Sequence, residues 1–232
     1  MKYDYVPSTG YKMIHVNNSY SFGIDSIILS SFAKMKKGKN LIDIGAGSGI
    51  LSLRCLNLYN LKKVFAIEIQ KKKADLLNLN LKINNLNNIE VINKNLNSCF
   101  TLFKNNSIDY IITNPPYYKS NDNVKSESEE FLISKHEILM TISDIFNFSS
   151  KILKDNGKLF MIHKPERIYD IFTSCKNLMP KKIQFVQSRT DTKPEFVLIE
   201  FVKNAKNGLK FENTIIIYNG KEYTKEVLKF YE

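Results

Sequence analysis

Residues 107–120 read SIDYIITNPPYYKS, and their types and spacing could do chemistry. An apolar run from Ile108 to Ile112 stops at Thr113-Asn114 and is followed by two prolines and two tyrosines. Asn114 offers a side-chain carbonyl and Pro115 a backbone carbonyl. Pro115 and Pro116 fix the chain and stiffen the turn. Two acceptors at a set separation suit an amino group carried by a planar ring or carbonyl, which has two N–H donors and a delocalised lone pair. Holding both hydrogens draws the nitrogen out of conjugation and aims its lone pair at an electrophile. Tyr117 can stack on the flat group that bears the amine. No strong base is needed before attack, because the product cation loses its proton afterwards, so positioning and electrostatics carry the rate. Pro-Pro-Tyr alone would serve equally as a rigid strand exit with an aromatic plug. Asn placed directly before it, after a strand-like run, favours the chemical reading.

A second constellation lies upstream. LIDIGAGSGI, residues 41–50, follows an apolar run and opens a helix-period stretch. Gly45, Gly47 and Gly49 allow a tight turn and a close approach to a ligand. The helix N-terminus beside them offers free N–H groups. Glu68, at the end of the next apolar run, can hold both hydroxyls of a ribose. Taken singly, the glycines fit an ordinary strand-to-helix turn and Glu68 a solvated acid; together they fit a nucleotide-type site.

The spacing is Gly-x-Gly-x-Gly after Asp43, not the Gly-x-Gly-x-x-Gly of dinucleotide binders, and it resembles the first motif of S-adenosylmethionine-dependent methyltransferases. That resemblance implies the cofactor S-adenosylmethionine, held by Asp43, Gly45, Ala46, Gly47, Gly49, Glu68, Ile69, Asn95, Leu96 and Asn114. The family usually has Asp where Asn95 stands, and an amide oxygen can still accept from the adenine amino group. Phe22 and Asp25 either line the same pocket or staple and cap the first helix.

Asn-Pro-Pro-Tyr after the fourth strand resembles the amino-methyltransferases that act on adenine N6, guanine N2 or the glutamine amide of release factors. Further stretches narrow this: Ser-Phe-Gly-Ile-Asp-Ser (21–26), Ser134-Lys135-His136-Glu137, Met161-Ile-His-Lys-Pro-Glu-Arg167 and Tyr218-Asn-Gly-Lys-Glu-Tyr223-Thr224. The set resembles the bacterial tRNA1(Val) (adenine-N6)-methyltransferase family over roughly residues 10–232. The resemblance implies methyl transfer to the N6 amine of a tRNA adenosine beside the anticodon. Asn114, Pro115, Pro116 and Tyr117 would be catalytic. Tyr117, Tyr118, Lys119, Lys135, His136, Lys164 and Arg167 would bind the RNA. Lys135 stands where the family usually has Arg, which keeps charge and loses fork-like phosphate contacts. The alternatives are a glutamine methyltransferase acting on a protein such as a release factor, and a DNA adenine-N6 methyltransferase. The first resembles proteins with a helical domain ahead of the catalytic one, for which about 39 residues are too few. The second usually needs a larger target-recognition region than the polar stretch 118–135 supplies.

These residues need elements to hold them. From residue 40 onward, short apolar runs alternate with helix-period stretches. Strands are expected at 40–44, 63–69, 89–93, 108–113 and 158–164, and helices at 48–59, 71–85, 97–104, 136–154 and 166–178. Asn156-Gly157 reads as the stop of the helix over 136–154. KIQFVQS and EFVLIEFV have no helix between them and should pair antiparallel. The fold class is therefore α/β: a Rossmann-like, seven-stranded methyltransferase sheet, mostly parallel, with an antiparallel terminal hairpin. Residues 1–232 are read as a single methyltransferase domain. Residues 1–39, with a helix over 24–35 capped by Asp25, precede the first strand, and 204–232 form a strand-helix extension.

The chain has 232 residues, 43% of them hydrophobic, enough for a sizeable core. Lys plus Arg number 34 against 23 Asp plus Glu, a net charge of +11. That surplus favours a polyanionic partner such as tRNA, although Lys-, Asn- and Ile-rich usage also follows from AT-rich coding. No apolar run is long enough to span a bilayer and the first residues lack a signal-peptide core. The three cysteines, Cys55, Cys99 and Cys175, have no metal-ligand spacing and read as thiols of a reducing cytosol. His136 and His163 have no partner at ligand spacing, so no metal is expected. The expectation is a cytoplasmic monomer with no membrane partner.

Overall fold

Side chains along the central strands alternate between two apolar layers, and that alternation dictates the architecture. Leu41, Tyr110, Ile112, Phe160 and Ile162 belong to one buried cluster, while Ile42, Ile44, Ile111, Leu159 and Met161 belong to another. Strands buried on both faces need helices on both. The computed structural model describes residues 2–14, 22–117 and 140–232.

The strands, in chain order, are β1 (Tyr3–Tyr5), β2 (Lys12–Ile14), β3 (Asn40–Ile44), β4 (Lys63–Ile67), β5 (Ile89–Ile92), β6 (Ile108–Thr113), β7 (Leu153–His163), β8 (Leu178–Gln187), β9 (Pro194–Lys203), β10 (Lys210–Phe211), β11 (Ile215–Ile216), β12 (Tyr218–Asn219) and β13 (Glu222–Tyr223). The helices are α1 (Ile24–Phe32), α2 (Ile50–Leu58), α3 (Lys71–Ile83), α4 (Ile142–Ile152), α5 (Ile168–Ser174) and α6 (Lys225–Leu228). A nine-stranded sheet runs β10-β8-β9-β7-β6-β3-β4-β5, with β11 also on β8. The pairs from β5 across to β7 are parallel; β9 is antiparallel to both β7 and β8. This is the expected α/β methyltransferase-like sheet, widened by the two-residue strands β10 and β11.

The chain winds outward from β3 through β4 to β5, then returns to β6 on the other side of β3. The reversal puts α1, α2 and α3 over one face and α4 and α5 over the other. It also opens a crevice at the carboxyl ends of β3 and β6, where Ile44 and Thr113 are paired.

Several local expectations are corrected. Residues before β3 are not strand-free: β1 and β2 form a hairpin with Tyr3 opposite Ile14. Its strands are too short to show period-2 alternation, and α3 holds them: Asn84 Oδ1 accepts from Lys12 N–H and Asn80 Oδ1 from Ile14 N–H. The fourth helix stops at Ile152, before Asn156-Gly157. Leu153 is already extended and pairs with Ile108 in the sheet, and Asn156 takes a positive φ of 61° at a register shift between Ile108 and Tyr110. Gly157 is required there because a Cβ would lie 2.8 Å from the Lys154 carbonyl. The helical turn expected over 97–104 is a 3₁₀ turn at Leu96–Cys99. Gly23, not Asp25, is the N-cap of α1.

Arg54 ties the chain's two ends to this frame. It is buried on α2 with no carboxylate partner among the described residues, and its guanidinium donates to Ser30 and Ser31 of α1, to the carbonyl of Pro7, to Ser8, and to the carbonyl of Phe230. No described helix is long and apolar enough to cross a membrane.

Candidate functional site

The turn after β3 is shaped by backbone conformations that a side chain resists. Gly45 and Gly47 have φ of +73° and +57°, and a Cβ on Gly47 would meet nothing within 4 Å, so this backbone faces open space. The N–H groups of Gly45 and Ala46 are held by the Ile67 carbonyl. Gly49 is different: a Cβ there would come 2.1 Å from Leu77 Cδ1, so this glycine makes room for a side chain of α3.

Glu68 follows β4 directly and is only 5% exposed. Gly47 N–H donates to its Oε2 at 2.8 Å and Gln70 N–H to its Oε1 at 2.7 Å. Each oxygen is thereby aimed and keeps a further lone pair for a hydroxyl. Asp43 lies beneath the turn, fully buried; Ser52 Oγ donates to its Oδ2 at 2.7 Å, and its Oδ1 has no hydrogen-bond partner among the described residues. Burial pushes its carboxyl up to about 7.

A cleft joins these parts to the end of β6. Gly45, Gly47, Glu68, Ile69, Leu96, Asn114 and Pro116 all line it. So do Ile44 of the same glycine stretch and Ile67, Gln70, Lys73, Lys94 and Met140, which carry no motif. Only strand ends and adjacency could have signalled them. The Asn95 Oδ1 accepts from Asn97 N–H at 2.8 Å and caps the 3₁₀ turn with one of its two lone pairs. Asn80 is a further residue without a sequence signal; its amide donates to the Ser48 carbonyl at 3.0 Å and steadies the glycine turn from α3.

At the β6 end, Pro115 is buried and Asn114 half-buried. Asn114 Nδ2 donates to Asp25 Oδ2 at 2.9 Å, and the Tyr117 hydroxyl lies 2.7 Å from Asp25 Oδ2 and 2.6 Å from Asn114 Oδ1. The Tyr117 ring is turned inward, edge-on to His163 at 5.6 Å and tilted on Phe196 at 5.6 Å, with Lys164 Nζ 5.5 Å from its centre. Stacking on a target ring would require this side chain to swing out. His163 is fully buried; burial and the neighbouring Arg167 lower its pKa to about 3, so it stays neutral. Its Nδ1 accepts from Lys164 N–H at 2.8 Å.

Phe22 lies apart from the glycine turn, with Gly23 and Ile24 around a second hollow beside Tyr5 and Tyr223. Lys164 is half-exposed near Phe196. Arg167 is 9% exposed and donates to Asp170 at 2.7 Å, so a phosphate would have to compete with that ion pair. Tyr118, Lys119, Lys135 and His136 lie outside the described residues. Among the described residues, no three or more His, Cys, Asp or Glu side chains cluster as a metal site would require.

Comparison with known proteins finds relatives over most of the chain. The family model described as "Methyltransferase small domain" covers residues 22–200. The chain is 24% identical over 225 residues to a tRNA1(Val) (adenine(37)-N6)-methyltransferase of Porphyromonas gingivalis, covering 90% of this chain and 88% of that relative. It is 26% identical over 223 residues to the protein of the same name from Bacteroides fragilis, covering 93% and 90%. A solved structure described as a predicted O-methyltransferase from Agrobacterium tumefaciens matches with a TM-score of 0.71 at 17% identity, over 89% of this chain and 94% of that one. At that identity the likeness concerns the fold alone.

Proposed function

The chain belongs to the methyltransferase small domain family, and on that premise we propose that it transfers a methyl group from S-adenosylmethionine to the N6 amine of an adenosine in tRNA, beside the anticodon. The observation that carries this reading is a single cleft lined both by the glycine turn with its anchored Glu68 and by Asn114. Residues 1–232 would act as one methyltransferase domain, in the bacterial tRNA1(Val) (adenine-N6)-methyltransferase family.

The residues present fit the cofactor. Gly47 exposes bare backbone, and Glu68 presents two pre-aimed carboxylate oxygens for a ribose diol. Ile67, Ile69 and Leu96 give apolar walls. When bound, S-adenosylmethionine supplies an electrophilic methyl group on a sulfonium. Everything else falls to the chain. Asn114 Oδ1 and the Pro115 carbonyl accept the two amine hydrogens and orient the nitrogen lone pair. His163, its pKa lowered to about 3, is too weak a base to take the proton that the methylated amine releases.

A purine amine stacked in a duplex cannot reach a cleft floor, so the acceptor is an unstacked base such as one in an anticodon loop. The names of the relatives and the net charge of +11 support RNA over protein. Incubation with labelled S-adenosylmethionine and, separately, total tRNA, duplex DNA and a release factor tests this. Label in N6-methyladenosine after nucleoside analysis of the tRNA is the expected result. Label in DNA or in a glutamine side chain, with none in tRNA, replaces the reading by one of those alternatives.

A further inference from the structure

Asp25 sits behind the pair of residues that would hold the amine. Its Oδ2 is 2.9 Å from Asn114 Nδ2 and 2.7 Å from the Tyr117 hydroxyl, while its Oδ1 accepts from Ser26 N–H at 2.8 Å. An ionised carboxylate has no proton to give, so Asn114 must turn its NH₂ to Asp25 and its carbonyl oxygen away from it. That oxygen is 2.6 Å from the same tyrosine hydroxyl. A phenol has one proton, so Tyr117 can donate to Asn114 Oδ1 or to Asp25 Oδ2, but not to both.

We infer that Asp25 is a positioning residue for the transfer: it sets the Asn114 amide with Oδ1 toward the incoming amine, and it takes over the Tyr117 hydrogen bond when that amine occupies Oδ1. The inference rests on the amine-binding role given to Asn114 above. The exchange turns the phenol O–H about its C–O bond and leaves the proton on the oxygen, so no bond is made or broken and no donor is stranded. Burial, with the Asp25 charge beside it, holds the Tyr117 hydroxyl well above its ordinary pKa, which keeps that proton in place.

The residue before the helix makes room for this carboxylate. Gly23 has an ordinary φ of −95°, so its backbone does not demand glycine. A Cβ there would lie 2.5 Å from Asp25 Oδ1. The missing methyl is space for the acid, and an alanine would move the carboxylate without straining the chain.

Two substitutions test the idea by different routes. Asp25→Asn keeps shape but has one oxygen, which can serve either Ser26 N–H or the Asn114–Tyr117 pair. Gly23→Ala keeps the acid and displaces it. With total tRNA as acceptor, Asp25→Asn should lower kcat about a hundredfold and Gly23→Ala about tenfold, the scale expected when a reacting group is misplaced by an ångström. Affinity for S-adenosylhomocysteine by calorimetry, KM for the RNA and the melting temperature should change little, a split that a merely structural role would not give. Unaltered kcat in both folded variants overturns the inference. Side-chain amide exchange by NMR tests it without any acceptor: one Asn114 amide proton should be protected in the parent and lose protection in Asp25→Asn. Equal exchange in the two proteins sinks the inference. A wild type inactive on tRNA but with that protection intact sinks only the choice of RNA.

Discussion

Glu68 and Gly47, 21 positions apart, are joined by a 2.8 Å hydrogen bond from the glycine N–H to Oε2. The acid therefore reaches back across the sheet and locks the turn that follows β3. With Gln70 N–H on its other oxygen, the carboxylate is held from both sides. Pre-setting the carboxylate lowers the ordering cost of binding.

Glu68→Ala should weaken S-adenosylhomocysteine binding tenfold or more, because unpaired donors in the cleft cost about 1–3 kcal/mol. Glu68→Gln should fall between, since one amide oxygen remains for two backbone donors. Calorimetric titration reads both. Unchanged affinity in a folded Glu68→Ala protein removes this residue from the site.

Asn114→Ala should separate chemistry from binding. Turnover should drop by several orders of magnitude while cofactor affinity moves little, because the lost contact matters most when the amine is aimed. Single-turnover methylation alongside calorimetry checks this. Near-normal turnover would mean that the amine is not held at the end of β6.

Asp43 gives the protein a pH signature. Its folded carboxyl titrates near 7, well above its ordinary value of 3.8, because it is buried. A raised folded pKa means that between those two values the folded chain holds a proton the unfolded chain has released. The associated stability is complete below pH 3.8 and is lost as pH rises toward 7, at up to about 1.4 kcal/mol per pH unit. Asp43→Asn cannot ionise and should flatten that limb in melting curves collected from pH 4 to pH 8. Parallel curves for the two proteins would show that Asp43 is ionised in the fold.

Lys164 and Arg167 should behave differently although both end the β7 region. Lys164→Ala should reduce the slope of log affinity against log salt for tRNA by about one unit. Arg167→Ala should leave that slope in place and lower the melting temperature, because its guanidinium is buried against Asp170. Filter binding across a salt series separates them. A flattened slope in Arg167→Ala would put this arginine on RNA after all.

What the residue order determined by itself was local. The alternation of apolar runs with helix-period stretches located the strand and helix framework from β3 to β9, because backbone geometry imposes periods of 2 and 3.6 on anything with a buried side. The glycine turn and the Asn-Pro-Pro-Tyr exit were legible because their backbone demands are written in residue types. Packing decided the rest. Gly49 looked like its neighbours in the turn until Leu77 was seen against it. Arg167 looked like a surface cation until Asp170 and the core closed over it. Asp25 read equally as a pocket residue or a helix cap, and only the docking of α1 against the end of β6 carried its carboxylate to Asn114, 89 residues away. Such pairings depend on which faces of distant elements meet. Neither spacing nor composition encodes that, because many side chains could satisfy the same local pattern and only the folded sheet selects which of them touch.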